Sequence, residues 1–478
     1  MPTAYVVGSG PNGLAGAVRL AEAGLDVTVL ERADRIGGGM RTSENTLPGL
    51  LHDDCSAFHP TGAASPYLQS LGLERHGLQW LWPEIQYAHP LDDGSAGLAF
   101  RSVESTAEGL GRDGASWARL FGPLARQYDA LAAELFRPVL HVPRHPLALA
   151  RFGPAALLPA TVLARRWQDP QAKALYGGVA AHLLGRLDRP VSAAVGLMLG
   201  AAAHAYGWPV AKGGSQAIAT ALAARLTDLG GRIETRAEIT AYDQIGDADV
   251  VLFDLSPPAV ARILGERLPQ RAAAAYRRYR FGPGAFKVDL AIEGEIPWRN
   301  PDVGRAGTVH LGGTLEETAA AEADVVAGRM PWRPFVLLGQ QYVADPTRSA
   351  GGLNPVYAYA HVPAGWVGDA TDAVVGQIER FAPGFRHRIR ATFTRGPAEL
   401  EAYNPNYVGG DIATGRNSPV QVVMRPRISL HPYRTGAAGA YLCSAATPPG
   451  AGVHGMGGFH AAETALADLE PRRERGNA

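Results

Sequence analysis

Three glycines, Gly8, Gly10 and Gly13, follow the apolar run "AYVV", and an acid, Glu31, closes the next apolar run, "DVTVL". That spacing suits a dinucleotide. Gly8 permits a tight turn, Gly10 lets backbone approach a pyrophosphate, and Gly13 lets the following helix lie close to the strand. A carboxylate at Glu31 can accept hydrogen bonds from a ribose 2′-hydroxyl and disfavours a 2′-phosphate. The residues that follow, "RADRIGGGMRTSE", bring Arg32, Arg35, Gly37, Gly38 and Arg41. Their backbone N–H groups and guanidiniums can hold a second part of the same anionic molecule, the competing reading being a surface loop. Far along the chain, "GAYLCSAATPPGAGVHGMGGFHAAETALADL" reads as strand, glycine loop and helix. A helix start preceded by glycines offers free N–H groups and the positive end of a dipole, which suits the anionic edge of a reduced flavin. The two ends of the chain are therefore expected to hold opposite ends of one long cofactor.

The elements that position these residues are legible nearby. "AYVV" has the composition of a buried parallel strand, the helix is predicted from Asn12 to Ala23, and Gly24 stops it. The chain has 478 residues, a formal net charge of zero, 19% charged and 46% hydrophobic residues. Neutrality argues against a nucleic-acid partner, which demands a basic excess. The two cysteines, Cys55 and Cys443, form no CxxC, so neither a disulfide framework nor a dithiol relay is expected, and a reducing, cytoplasmic setting fits. The first strand begins by Thr3 or Ala4, leaving no room for a targeting peptide. The apolar run from Val191 is short for a membrane span and reads as a buried core helix. No metal-ligand cluster and no Ser-His-Asp arrangement stand out.

Several stretches together resemble the phytoene-desaturase-like branch of the FAD-dependent amine-oxidase superfamily. They are "VVGSGPNGLAGAVRLAEAGLDVTVLER", "RIGGGMRT", "HDDCSAFHPTGAASPYLQSLGL", "WPVAKGGSQAIATALAARL", "GGRIETRAEI" and the C-terminal glycine loop. The resemblance implies an α/β fold: an interrupted Rossmann-like FAD-binding domain and a mixed α+β substrate domain. Residues 1–75, 206–275 and 426–478, the last with a frayed tail, would make the FAD domain. Residues 76–205 would be a helical cap and 276–425 the substrate sheet. By the same resemblance Ile239 meets adenine through its backbone, and Ser444, Gly455 and Met456 lie against the flavin. One departure is the turn "DLSP", Asp254 to Pro257, where the family carries an "NADP"-like turn.

Flavin chemistry asks the protein to face a substrate C–H toward the flavin N5 and to take up a proton. In this fold the segment after "RIGGGMRT" returns beside the flavin, so His59 and then Asp53 are the candidate bases; a loop-ordering role competes for both. Tyr357, Tyr359 and His361 alternate on one predicted strand and so share a face, lining a substrate cavity or filling a core. The stretch from Arg144 to Trp167 is apolar with basic edges. A cap packed on its own core is the first reading and a peripheral membrane contact the second, because Pro146, Pro154 and Pro159 break any single amphipathic helix. The expected function is FAD-dependent dehydrogenation of an apolar small molecule such as a terpenoid or polyene, with oxygen or a quinone as electron acceptor. Alternatives are an amine or amino-acid oxidase, a redox-neutral isomerase or saturase, and a non-enzymatic prenyl-binding escort.

Overall fold

The computed structural model describes residues 1–476. Five parallel strands form the first sheet, in the order Ala440–Leu442, Val250–Phe253, Thr3–Val7, Asp26–Glu31, Arg232–Thr235. Parallel strands are buried on both faces, and these alternate accordingly. Ala4, Val6, Val27, Val29, Val250 and Leu252 point into one core with the helices Pro11–Glu22, Gln216–Asp228 and Met456–Gly476. Val7, Val251, Phe253, Ala440 and Leu442 point into another, against the helices Pro257–Leu264 and Gln270–Arg277. The sheet thus joins strands from three distant parts of the chain. The terminal helix reaches Gly476, over the stretch read as frayed; residues 477 and 478 lie outside the described residues.

Glycine lets the two helices from opposite chain ends touch. A Cβ on Gly458 would lie 1.8 Å from the Asn12 carbonyl oxygen. The Gly457 N–H donates to Asn12 Oδ1 at 3.1 Å. Gly8 takes φ +101°, the left-handed turn expected after the first strand.

The second sheet has seven strands, in the order Ile389–Arg395, Gly284–Glu293, Leu353–Val362, Val336–Gly339, Ala306–Leu311, Ile85–Pro90, Ala96–Phe100. Only the pairing of Ala306–Leu311 with Ile85–Pro90 is parallel. Val356, Ala358 and Ala360 pack toward the helix Thr371–Phe381, while Tyr357 and Tyr359 face the other way with Phe335 and Leu337. The last two strands correct the reading of residues 76–205 as helical. Their hairpin is held by a strand more than 200 residues later, a partner that no local pattern displays.

The rest of 76–205 is helical. The apolar helix Ala193–Ala205 is buried, as expected of a core element. The Arg144 to Trp167 stretch breaks at its prolines: Pro146–Ala156 and Ala160–Arg166 meet at 94°. Ala148, Phe152 and Ala156 pack inward, whereas Leu147 is 74% and Leu157 64% exposed. No single helix among the described residues is long and apolar enough to cross a membrane; this bent pair passes by length and composition together.

Candidate active site

A cavity of about 1490 Å³ runs between the two sheets. Gly8, Gly10, Glu31, Arg32, Gly38, Arg41 and Ile239 line its first-sheet end, and Ser444 with Pro448–Val453 lines one side. Its far end is walled by Phe58, Leu149, Phe152, Trp208, Leu337, Tyr357 and Tyr359. A single small ligand fills roughly 300–1,000 Å³, so this volume accommodates two molecules end to end.

The polar end is preorganised. Glu31 Oε2 accepts from Ser9 N (3.0 Å) and Ser9 Oγ (2.6 Å). Its Oε1 accepts from Ala33 N at 2.8 Å and from Arg41 Nη2 at 3.3 Å. The carboxylate is therefore fixed at the strand's end, where a ribose would lie. Asp254, at the end of Val250–Phe253, ties down the glycine turn from the neighbouring strand: its Oδ2 accepts from Gly13 N at 2.9 Å. A Cβ on Gly10 would stand 2.4 Å from that oxygen. Burial raises the Asp254 carboxyl to about 7, and nearby Glu31 adds to the rise against the Gly10 and Gly13 N–H groups. The signal for it was in the sequence, an acid closing an apolar run as Glu31 does.

Several expected cofactor contacts lie behind the wall. Gly13 is turned to Asp254 and to the Gly8 carbonyl. Gly37 packs on Ala219. Arg35 donates to Thr42 O (3.0 Å) and Ser43 Oγ (2.9 Å) and braces the loop from outside. Gly455 packs on Ala15, and Met456 N donates to His454 Nδ1 at 3.1 Å, so the cavity is met by Pro448–Val453 just before them.

The candidate bases His59 and Asp53 also fall outside the cavity lining, as does His361 on the tyrosine strand, and each has a structural reason. His59 Nε2 is hydrogen-bonded to Ser215 Oγ at 2.8 Å, the Ser215 hydroxyl itself donating to Ser56 O at 2.6 Å; the His59 ring packs on Trp80, and burial lowers it to about 4. Asp53 accepts from Ser215 N (2.7 Å), Thr42 Oγ1 (2.9 Å) and Arg348 Nη1 (2.5 Å). Those contacts override the opposing effect of burial and hold its carboxyl below the usual range. His361 Nδ1 pairs with Glu322 Oε1 at 2.6 Å beneath Phe335. The neighbours Phe58 and Pro60 face the cavity instead.

Tyr357 and Tyr359 do line it, their rings 5.9 Å apart. The Tyr357 hydroxyl donates to the Cys55 carbonyl, and buried Lys287, ion-paired with Asp289, sits 4.6 Å over the Tyr357 ring. Burial pushes the Cys55 thiol and both tyrosines up, so all three stay protonated at neutral pH. Sequence reasoning passed over His182, in the helical turn Ala181–Leu183, and gave no role to Trp208, which opens the "WPVAKGG" stretch just before the strand Val210–Ala211. Among the described residues, no group of three or more His, Cys, Asp or Glu is placed to hold a metal ion.

Residues 6–71 match the family profile of an NAD(P)-binding Rossmann-like domain. Over 98% of this chain and 94% of its own length, the pyridine nucleotide-disulfide oxidoreductase domain-containing protein 2 of Rattus norvegicus is 25% identical. Hydroxyneurosporene desaturase of Cereibacter sphaeroides is 26% identical over 99% of both chains. A hydroxysqualene dehydroxylase of Rhodopseudomonas palustris is 39% identical over 15% of this chain and 18% of its own. Among solved structures, an oxidoreductase from Methanosarcina mazei superposes with TM-score 0.65 at 17% identity, over 98% of this chain and 100% of its own. Putrescine oxidase bound to putrescine does so with TM-score 0.60 at 17% identity, over 98% and 99%. The fold and the full-length sequence relatives agree with the motifs at both chain ends: the chain is an oxidoreductase similar over its whole length to desaturase-type proteins.

Proposed function

We propose that this chain binds FAD non-covalently and dehydrogenates an apolar small molecule, with oxygen or a quinone taking the electrons onward. The observation that carries the reading is the continuity of the cavity, from the Gly8–Gly10 turn and Glu31 to the apolar wall at Tyr357, Leu149 and Phe152. The residues present fit the cofactor. A glycine turn at a helix start, a carboxylate fixed by Ser9 and Arg41, and a glycine-rich stretch at Pro448–Val453 follow one another along one wall. The adenosine half would meet Glu31 and Ile239, and the flavin half Ser444 and Gly450–Gly452. Bound there, FAD supplies a hydride acceptor.

The chain's own part is placement and exclusion of water. Phe58, Leu337 and the two tyrosine rings present an apolar surface to a substrate, and the insertion helix Pro146–Ala156 closes the far side. The full-length relative named as a desaturase supports this reading over an amine oxidase, because the likeness to putrescine oxidase is one of fold.

The purified protein is expected to be yellow and to release its colour into the supernatant on acid precipitation. Anaerobic addition of terpenoids or polyenes should bleach it. A colourless protein that takes up no FAD refutes the cofactor assignment, and bleaching by small polar amines alone refutes the substrate assignment.

A further inference from the structure

The apolar end of the cavity contains a cluster of polar atoms that the protein itself leaves unsatisfied. Thr308 and Trp208 both line the cavity and are buried, and neither Thr308 Oγ1 nor Trp208 Nε1 has a hydrogen-bond partner. His182 lines it too, and its Nε2 lies 2.9 Å from His310 Nε2. These side chains are neighbours. Thr308 and His310 share a face of the strand Ala306–Leu311, and Thr308 stands in register with Tyr87. The Trp208 ring is 5.3 Å from Tyr87 and 5.6 Å from His182. Tyr87 Oη and His310 Nδ1, just behind, are unpartnered as well. Buried polar groups are normally paired, because leaving one unmade carries its full desolvation penalty. A cluster of such atoms on side chains that line a cavity points to a ligand that presents a polar group of its own.

The chemistry of the cluster selects the group. Trp208 Nε1 only donates, while the Thr308 hydroxyl donates and accepts. Burial holds His182 and His310 neutral, His182 lowered to about 3, so the pair shares one proton between its facing nitrogens and offers no cation to an acid. No carboxylate lies in the cluster to meet an amine. What satisfies neutral donors and a donor–acceptor hydroxyl at once is a neutral oxygen.

We propose that His182, Thr308 and Trp208 form an oxygen-recognition subsite, so that the substrate is an apolar molecule carrying a hydroxyl group at the end seated there, and not a plain hydrocarbon. This rests on the cavity being the substrate site, the reading proposed above, but its test does not depend on flavin chemistry.

The test is displacement of 1-anilinonaphthalene-8-sulfonate from the purified protein by dodecan-1-ol and by dodecane, both delivered from cyclodextrin. Transfer into an apolar cavity alone favours dodecane, so the order of affinity is diagnostic. The subsite predicts that the alcohol displaces the dye at a concentration about tenfold lower, the effect of one or two ordinary hydrogen bonds. It predicts further that Thr308→Val, nearly isosteric, removes most of that preference, as does His182→Leu. Equal displacement by the two ligands in the unaltered protein overturns the proposal, and so does a preference that survives in both variants. A preference for the alcohol in a protein that never takes up FAD would refute the cofactor reading alone. Bleaching of bound flavin by hydrocarbons without any such preference would refute the subsite alone.

Discussion

Replacing Asp53 with alanine is expected to damage the fold and leave the chemistry intact. Asp53 is fully buried, and so is its partner Arg348, 2.5 Å away. Removing one member of a buried ion pair strands the other and costs about 3–5 kcal/mol. Arg348 would retain Asp345, 3.2 Å from its Nε, and the Ala211 carbonyl at 2.8 Å, so the loss falls near the lower figure, ~3 kcal/mol. Against a total stability on the order of 5–15 kcal/mol that is a large fraction. The pH dependence has a definite sign. A carboxyl held below its ordinary value stabilises the fold fully above that ordinary value, about 3.9, and the contribution fades as pH falls through the lowered one. The deficit of Asp53→Ala should therefore be complete at pH 7 and shrink in acid. The assay is the urea midpoint by circular dichroism at pH 7 and at about pH 3, below the ordinary carboxyl value, read beside flavin bleaching under native conditions. Adding Arg348→Met should recover part of the loss. A variant with an unchanged midpoint that no longer bleaches would refute this account and return Asp53 to the reaction.

Gly458→Ala should lower the unfolding temperature markedly, since its Cβ would overlap the Asn12 carbonyl oxygen at 1.8 Å; overpacking of this kind costs roughly 1–3 kcal/mol, and calorimetry decides. Asp254→Asn should raise stability more at pH 8 than at pH 6. The native carboxyl, raised to about 7, binds a proton that the unfolded chain has released, so its penalty grows as pH rises through 7; melting curves at both pH values check this. Glu31→Ala should weaken FAD retention on gel filtration, losing hydrogen bonds worth about 1.5–3 kcal/mol each at most; full retention would mean the ribose lies elsewhere. His59→Ala should leave the bleaching rate unchanged while lowering the midpoint, because its ring nitrogen serves Ser215.

The first-sheet half was legible because its signals are local. Strand, glycines, helix, strand and acid succeed one another within Thr3 to Glu31, and each residue type answers to its own backbone. The side chains at the far end of the cavity were not. Whether Phe58 or His59 faces the cavity is a matter of one residue's rotation, settled by Ser215 and Trp80 from 20 to 160 residues away. The same holds for Asp53, whose short, charged contacts with Arg348 no spacing rule displays. His182 sits in an Ala- and Leu-rich stretch and Trp208 just before a short strand, and only their packing on Tyr87, on His310 and on each other gives either a role. Tyr357 and Tyr359 were placed on one face by alternation alone, since a period of two survives whatever the sheet packs against.

The strand order of the first sheet also governs how this protein emerges from a ribosome. Val250–Phe253 pairs on one side with Thr3–Val7, but its other neighbour, Ala440–Leu442, is synthesised roughly 190 residues later, ~10–40 s at ordinary elongation rates. Until then an all-apolar strand presents a bare edge, and the helix Pro11–Glu22 lacks the glycine-lined helix that covers it. The nascent chain thus carries an unpaired apolar edge from the synthesis of Phe253 until that of Ala440. Yield in cells should accordingly respond to chaperone supply and to codon choice between Phe253 and Ala440 more than to changes in the cavity.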